Sequence, residues 1–373
     1  MSSTGTNARP TALIVGGTGP TGPHVVNGLV ERGYGVAILH SGRHESELIG
    51  PEVEHLHTNA FDIAAVADAL GPRTFDLVVP MYGRLRDLAT YFVGRCGRLI
   101  SVGGAPIYRG FGWPEANDPA GMAVPTREHD PLAGPGDNPK VLKMVETEQA
   151  LFEHHPTATH LRYPRLYGPH QVQPKEWCIV RRLLDGRRRI IVADGGLSLI
   201  VLAYSRNAAA ALLTCVDRPD VAAGRVVNVT DERTVTVGQW IGLLAEGLGI
   251  DVELVAMPWE LARPAWPFGE STNHHRVLGT ELLCGELGHR DVLPVTEALR
   301  STARWLADHP LERGSVTENG LQDPFDYAAE DRLMDAWGEA LSGLRPVAEA
   351  ADPHWVDRYA HTSVDARLGI ETG

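Results

Sequence analysis

The sequence predicts an α/β protein: a Rossmann-type doubly wound parallel sheet, a smaller mixed α/β substrate lobe and a C-terminal helical extension. Three observations carry this. An apolar strand runs into a glycine turn and then a helix at the start of the chain. Short apolar runs then alternate with helically spaced segments, the pattern of a parallel sheet covered on both faces. Finally, 373 residues with 43% hydrophobic and 22% charged content suit an ordinary globular chain of two lobes. The expected boundaries are 11–170 for a dinucleotide-binding domain, 171–310 for a substrate lobe that partly returns to the first sheet, and 311–373 for the extension.

The elements follow in order. Thr11 to Val15 is the first strand, Gly16 to Gly22 the turn, a helix reaches Arg32, and Tyr34 to Leu39 closes a βαβ unit. Strands are expected at Val53 to Leu56, Asp76 to Val79, Arg98 to Val102 and Thr159 to Arg162, with a helix at Ile63 to Leu70. Beyond residue 170, Trp177 to Leu184 and Ala208 to Val216 read as helices, and Arg189 to Val192 and Val226 to Val229 as strands. Residues 311–373 hold 13 acidic residues and 5 arginines. Leu333, Met334, Trp337 and Leu341 nevertheless recur at helical spacing, which predicts a docked amphipathic helix.

Composition narrows the function. With 34 Lys+Arg against 47 Asp+Glu the net charge is −13, which argues against nonspecific nucleic-acid binding. No apolar run reaches the roughly 18 residues of a membrane span, and the polar start shows no secretory leader, so the expected location is cytoplasmic. The four cysteines lack CxxC spacing, and the adjacent pairs His154–His155 and His274–His275 point apart. No disulfide framework and no metal site is therefore expected. The expected partners are a small-molecule substrate and a second copy of the chain, with no nucleic acid and no membrane.

The chemistry starts at the turn Gly16-Gly17-Thr18-Gly19-Pro20-Thr21-Gly22. The first glycines allow a tight turn and close approach of a pyrophosphate to a helix N-terminus, and the last allows helix and strand to pack. At the end of the second strand, where an acid would accept an NAD ribose hydroxyl, the chain has His40-Ser41-Gly42-Arg43-His44. With no carboxylate there and Arg43 close by, NADP is favoured over NAD.

These residues, with Leu161-Arg-Tyr-Pro-Arg-Leu-Tyr-Gly-Pro169, resemble the extended short-chain dehydrogenase/reductase family, the NAD-dependent epimerase/dehydratase group. The resemblance covers roughly residues 11–310. It implies that Asp62 and Ile63 meet adenine, that Met81 and Tyr82 pack over the cofactor, and that Tyr163, Pro164 and Leu166 meet the nicotinamide carboxamide. Arg165 falls where the family faces substrate. The run Arg181, Arg182, Arg187, Arg188 and Arg189 lies in the second lobe, where family members place substrate phosphates, and Arg181 is the substrate candidate drawn from it.

One departure matters. The family works with a Ser/Thr and a YxxxK pair, in which lysine lowers the tyrosine pKa. Here Asp137 to Glu148 offers no tyrosine four before either lysine. One register pairs Lys143 with Pro139, the other pairs Met144 with Lys140. The register that keeps Lys143 as a ribose-binding ammonium is preferred, with Lys140 as a proton donor. The hydroxyl position falls on Ser101 counted from the strand or on Gly104 counted back from Tyr108, and Tyr108 is itself a candidate acid. The expected activity is nicotinamide hydride transfer on a small hydroxyl or carbonyl compound by an oxidoreductase or epimerase/dehydratase-type enzyme. A lyase or isomerase without net redox and a cofactor-binding regulator without turnover are the alternatives.

Overall fold

The computed structural model describes residues 9–269 and 274–351. Seven strands form one parallel sheet: β1 (Thr11–Val15), β2 (Gly35–His40), β3 (Glu54–His57), β4 (Phe75–Pro80), β5 (Cys96–Gly104), β6 (Thr159–Tyr163) and β7 (Val226–Asn228). Their spatial order is β3-β2-β1-β4-β5-β6-β7, so the order reverses beside β1, the switch point at which doubly wound folds bind ligands. Residues of β1 alternate between the two faces. Ala12 and Ile14 pack with Val25, Val26 and Leu29 of α1 (Gly22–Glu31). Leu13 and Val15 face the other way, toward Val66 and Leu70 of α2 (Ile63–Leu70) and Leu88 of α3 (Leu85–Tyr91). All four β1 residues are fully buried, as a strand covered on both sides must be.

Further helices complete the layers: α4 (Pro139–His154), whose Leu151 joins the second face, and α6 (Ser205–Asp217), whose Ala208, Ala211 and Leu212 join the first. Between them lies α5 (Trp177–Leu184), and short strand pairs stand outside the seven-stranded sheet. There Arg189–Ala193 pairs in parallel with Glu253–Met257, Leu199–Ile200 pairs antiparallel with Val235–Thr236, and Leu202–Tyr204 runs parallel to Arg165–Tyr167. Among the described residues no helix is long and apolar enough to cross a membrane, and all four cysteines are free thiols.

The chain divides into two compact units between Pro324 and Phe325, so residues 311–324 pack with what precedes them. Glu318 accepts a 2.9 Å hydrogen bond from Trp177 Nε1 and pairs with Arg181 at 2.7 Å. Asp323 pairs with Arg182 at 2.6 Å, both side chains almost wholly buried. The second unit contains the helix Tyr327–Ala350, which spans Leu333, Met334, Trp337 and Leu341. Residues 352–373 lie outside the described residues.

Candidate active site

The glycine turn closes β1 onto α1. Gly16 and Gly17 have φ of 104° and 93°, the left-handed region that glycine alone enters without strain. A Cβ at Gly22 would lie 2.3 Å from the carbonyl of Gly17, so this glycine is fixed by packing. Gly19 differs: a Cβ there meets nothing within 4 Å, and its φ does not require glycine. The protein itself gives no steric reason for Gly19, whereas a ligand lying on the turn would. Thr18 and Pro20 flank it half-exposed, and Thr21 is buried ahead of the helix. Met81 donates to Val15 O at 3.0 Å, and Tyr82, largely exposed, stacks edge-on against Phe61 beside Gly16.

At the far end of β2, Arg43 is exposed and has no ion-pair partner among the described residues, while its backbone N–H donates to Ser41 Oγ at 3.4 Å. His40 is buried at the strand end. Asp62 caps α2, accepting from the N–H groups of Ala64 and Ala65 at 3.0 and 3.3 Å. Its neighbour Ile63 packs into the core face shared with Leu70.

Two cavities open beyond the carboxyl ends of β5 and β6. The first, about 390 Å³, is walled by Gly104, Met144, Tyr163, Pro164, Arg165 and Arg276, with Phe111, Ile200 and Val201 supplying apolar surface. Arg276 lies 4.5 Å over the Phe111 ring, and Arg165 lies 5.2 Å over Trp240 and 4.0 Å from the wholly buried Glu176. Two guanidiniums in an apolar recess hold an anion or polarise a carbonyl, but they stay protonated and do not shuttle protons. The second cavity, about 560 Å³, shares Gly104 and Met144 and is lined by Lys143, Arg84, Arg86, Asp87, Thr147 and His160. Lys143 is exposed at its rim, and Lys140 is exposed on the first turn of α4, where Asn138 accepts from its backbone N–H.

Behind these cavities runs a buried polar chain. Ser101 Oγ lies 2.7 Å from His160 Nδ1, and His160 Nε2 lies 3.6 Å from Glu148. Glu148 holds Arg162 through two bonds of 2.6 and 3.0 Å, and Arg162 lies 4.7 Å over the Tyr108 ring. The Tyr108 hydroxyl donates to Asn228 Oδ1 at 2.6 Å. Burial pushes Tyr108 up to about 12, and burial likewise lowers His160 to about 4. The Tyr163 hydroxyl donates to Ala208 O at 2.9 Å and is raised further by complete burial. Tyr167 donates to Asp231, itself pushed up to about 7 by burial.

The structure thus gathers Gly104, Tyr163, Pro164 and Arg165 around one cavity and sets Lys143 on the adjoining one. Leu166, half-buried on the next short strand, packs against the α1 face of the core. Ser101 and Tyr108 are interior, their hydroxyls engaged by His160 and Asn228. Arg181 sits away from both cavities, held by Glu318 and by Asp185 at 3.5 Å. Arg276 is absent from the sequence-derived set, since no motif marks it. His40, a sequence-derived candidate, converges with three residues outside that set, Glu45, His55 and His57, at the ends of β2 and β3. His55 and His57 are two apart on one strand, and that spacing is the local signal for them.

No family model matches the chain. The uncharacterized protein YbjS of Escherichia coli (strain K12) is 27% identical over 173 residues, 40% of this chain and 50% of that protein, so the chain spans about half the length of the curated relative it matches. Among solved structures, a UDP-glucose 4-epimerase of Thermotoga maritima with UDP-glucose aligns with TM-score 0.64 at 19% identity, over 80% of this chain and 99% of that one. The enzyme WbmH of Bordetella bronchiseptica in complex with NAD+ aligns at 0.63 and 15%, over 81% and 100%. A dTDP-glucose 4,6-dehydratase of Bacillus anthracis in complex with NAD aligns at 0.62 and 14%, over 81% and 97%. With this sheet order, this turn and these likenesses, the chain has the fold of the extended short-chain dehydrogenase/reductases, the fold of NAD-dependent epimerases and dehydratases.

Proposed function

We propose that the chain is an NAD(P)-binding enzyme of the epimerase/dehydratase type that acts on a small hydroxyl or carbonyl compound bearing an anionic group. The observation that carries this reading is the pairing of the glycine turn at the switch point with a two-arginine cavity at the ends of β5 and β6. The solved proteins of like fold include NAD complexes and sugar-nucleotide enzymes, which supports a dinucleotide at the turn. The open space over Gly19 fits a pyrophosphate there. A bound nicotinamide supplies or accepts the hydride; the chain's residues bind, orient and exclude water.

In this reading Arg165 and Arg276 fix the anionic group. Lys143 bonds the nicotinamide ribose from the adjoining cavity, and Arg43 meets a 2′-phosphate, so NADP is preferred. A cofactor-binding protein without turnover is the second reading. It is favoured by the hydroxyls of Tyr108 and Tyr163, which are engaged by Asn228 and by the Ala208 carbonyl.

Calorimetry with NADPH and NADH tests the cofactor. The parent binds, and Gly19→Val abolishes binding without lowering the melting temperature. Unchanged affinity in that variant removes the dinucleotide from the turn. Absorbance at 340 nm with carboxylated and phosphorylated carbonyl compounds then separates the two readings. Turnover that falls in Arg276→Met supports the enzyme, and binding without turnover across the panel supports the regulator.

A further inference from the structure

His40 ends β2, and its backbone partner in the sheet register is His57 of β3. His55 lies two residues before His57, so both project on the same face of the edge strand. Glu45 comes from the loop that follows β2. His40 Nε2 lies 3.1 Å from His55 Nδ1. One Glu45 oxygen is 3.3 Å from His55 Nδ1, and the other is 3.2 Å from His57 Nε2 and 3.9 Å from His40 Nε2. One ligand atom from each of the four residues falls within 4.8 Å of every other. A tetrahedral Zn2+ with bonds of about 2.0–2.1 Å sets its donor atoms about 3.3–3.4 Å apart, and these separations bracket that spacing.

We propose that His40 Nε2, His55 Nδ1, His57 Nε2 and a Glu45 carboxylate oxygen form a Zn2+ site at the carboxyl end of β2 and β3. Three imidazoles with one carboxylate suit a borderline first-row cation and disfavour the hard, oxygen-seeking Mg2+ and Ca2+. His40 is buried and anchors the site, whereas Glu45 and His57 are half-exposed and leave it open to entry. Capture at Nε2 puts the imidazole proton on Nδ1, where the Gly42 N–H now approaches at 3.4 Å. That weak contact gives way, and the loop bearing Ser41 and Arg43 adjusts.

The test uses the full-length, untagged protein stripped with chelator and titrated with ZnCl2 in a calorimeter, with Co2+ absorption as the second readout. The expected result is one Zn2+ per chain with a micromolar or tighter Kd, together with the intense visible bands of four-coordinate Co2+. His55→Ala and His57→Ala each weaken Zn2+ about a hundredfold, and Glu45→Gln about tenfold. His55→Gln and His57→Gln stand in where an alanine variant fails to fold by circular dichroism. Absence of saturable binding by the parent overturns the proposal. So does Zn2+ binding that persists undiminished when His55 and His57 are both replaced, since the metal then sits elsewhere.

Discussion

Acid should unfold this protein partly through one histidine. His160 is nearly inaccessible on β6, bonded to Ser101 and near Glu148. Burial lowers it from 6.5 to about 4, an effect that Glu148 opposes and Arg162 reinforces. The unfolded chain therefore takes up this proton near pH 6.5 while the folded chain resists it until about pH 4. For a group depressed in this way the stabilising contribution is complete above pH 6.5 and is lost as pH falls toward 4. At about 1.4 kcal/mol per unit, the full loss is about 3 kcal/mol, with about 2–3 kcal/mol gone by pH 4.5. The perturbation is His160→Gln, which cannot titrate but whose amide can still bond Ser101. Urea unfolding at pH 7 and pH 4.5 measures the change for parent and variant. The variant should start about 1 kcal/mol lower at pH 7, from a poorer hydrogen bond, yet lose about 2–3 kcal/mol less on acidification. Equal losses in the two proteins would show that His160 is not the group being titrated.

Other measurements probe the same architecture. Gly22→Ala forces a Cβ to within 2.3 Å of the Gly17 carbonyl and should cost about 1–3 kcal/mol, while Gly19→Ala should leave the melting curve in place; equal drops refute the distinction. Arg43→Ala should weaken NADPH by about 1.5–3 kcal/mol and leave NADH nearly unchanged by calorimetry, and parallel loss for both cofactors would reduce Arg43 to a loop residue. Asp231 is raised from 3.8 to about 7 by burial, so the folded chain holds its proton more tightly and stability from this group declines as pH rises from about 4 to 7. Asp231→Asn should flatten that decline in thermal melts, and an unaltered slope would exonerate Asp231. Lys143→Met should weaken cofactor binding and lower any turnover; unchanged affinity would return Lys143 to the solvent.

The sheet was readable because its signals are local. Most strands of the sheet, β1, β2 and β4 above all, hold short apolar runs, and the structure sets the strand ends within a few residues of where the sequence places them. The glycine turn was readable for the same reason, since its spacing encodes its geometry. The cavities were not. Arg276 reaches Phe111 from a segment more than a hundred residues distant, and no periodicity announces that approach. The three histidines come from two strands and become neighbours only through the β2–β3 register. Hydroxyl direction was equally hidden: Tyr108 looks like a free acid in the sequence, and only Asn228, 120 residues later, shows where its proton points.

The bonds from Trp177, Arg181 and Arg182 to Glu318 and Asp323 bear on how far the chain can be trimmed. Arg182 and Asp323 are both sealed from water, and removing one member of such a pair costs about 3–5 kcal/mol because the survivor keeps its charge in a dry interior. A chain cut after Asp308, near the end of the resemblance to the short-chain dehydrogenase/reductases, would take Asp323 from Arg182 and Glu318 from Arg181. The acidic segment up to Pro324 is thus a keystone for α5. A minimal folded version of this protein has to include it, or give up Arg182 along with it.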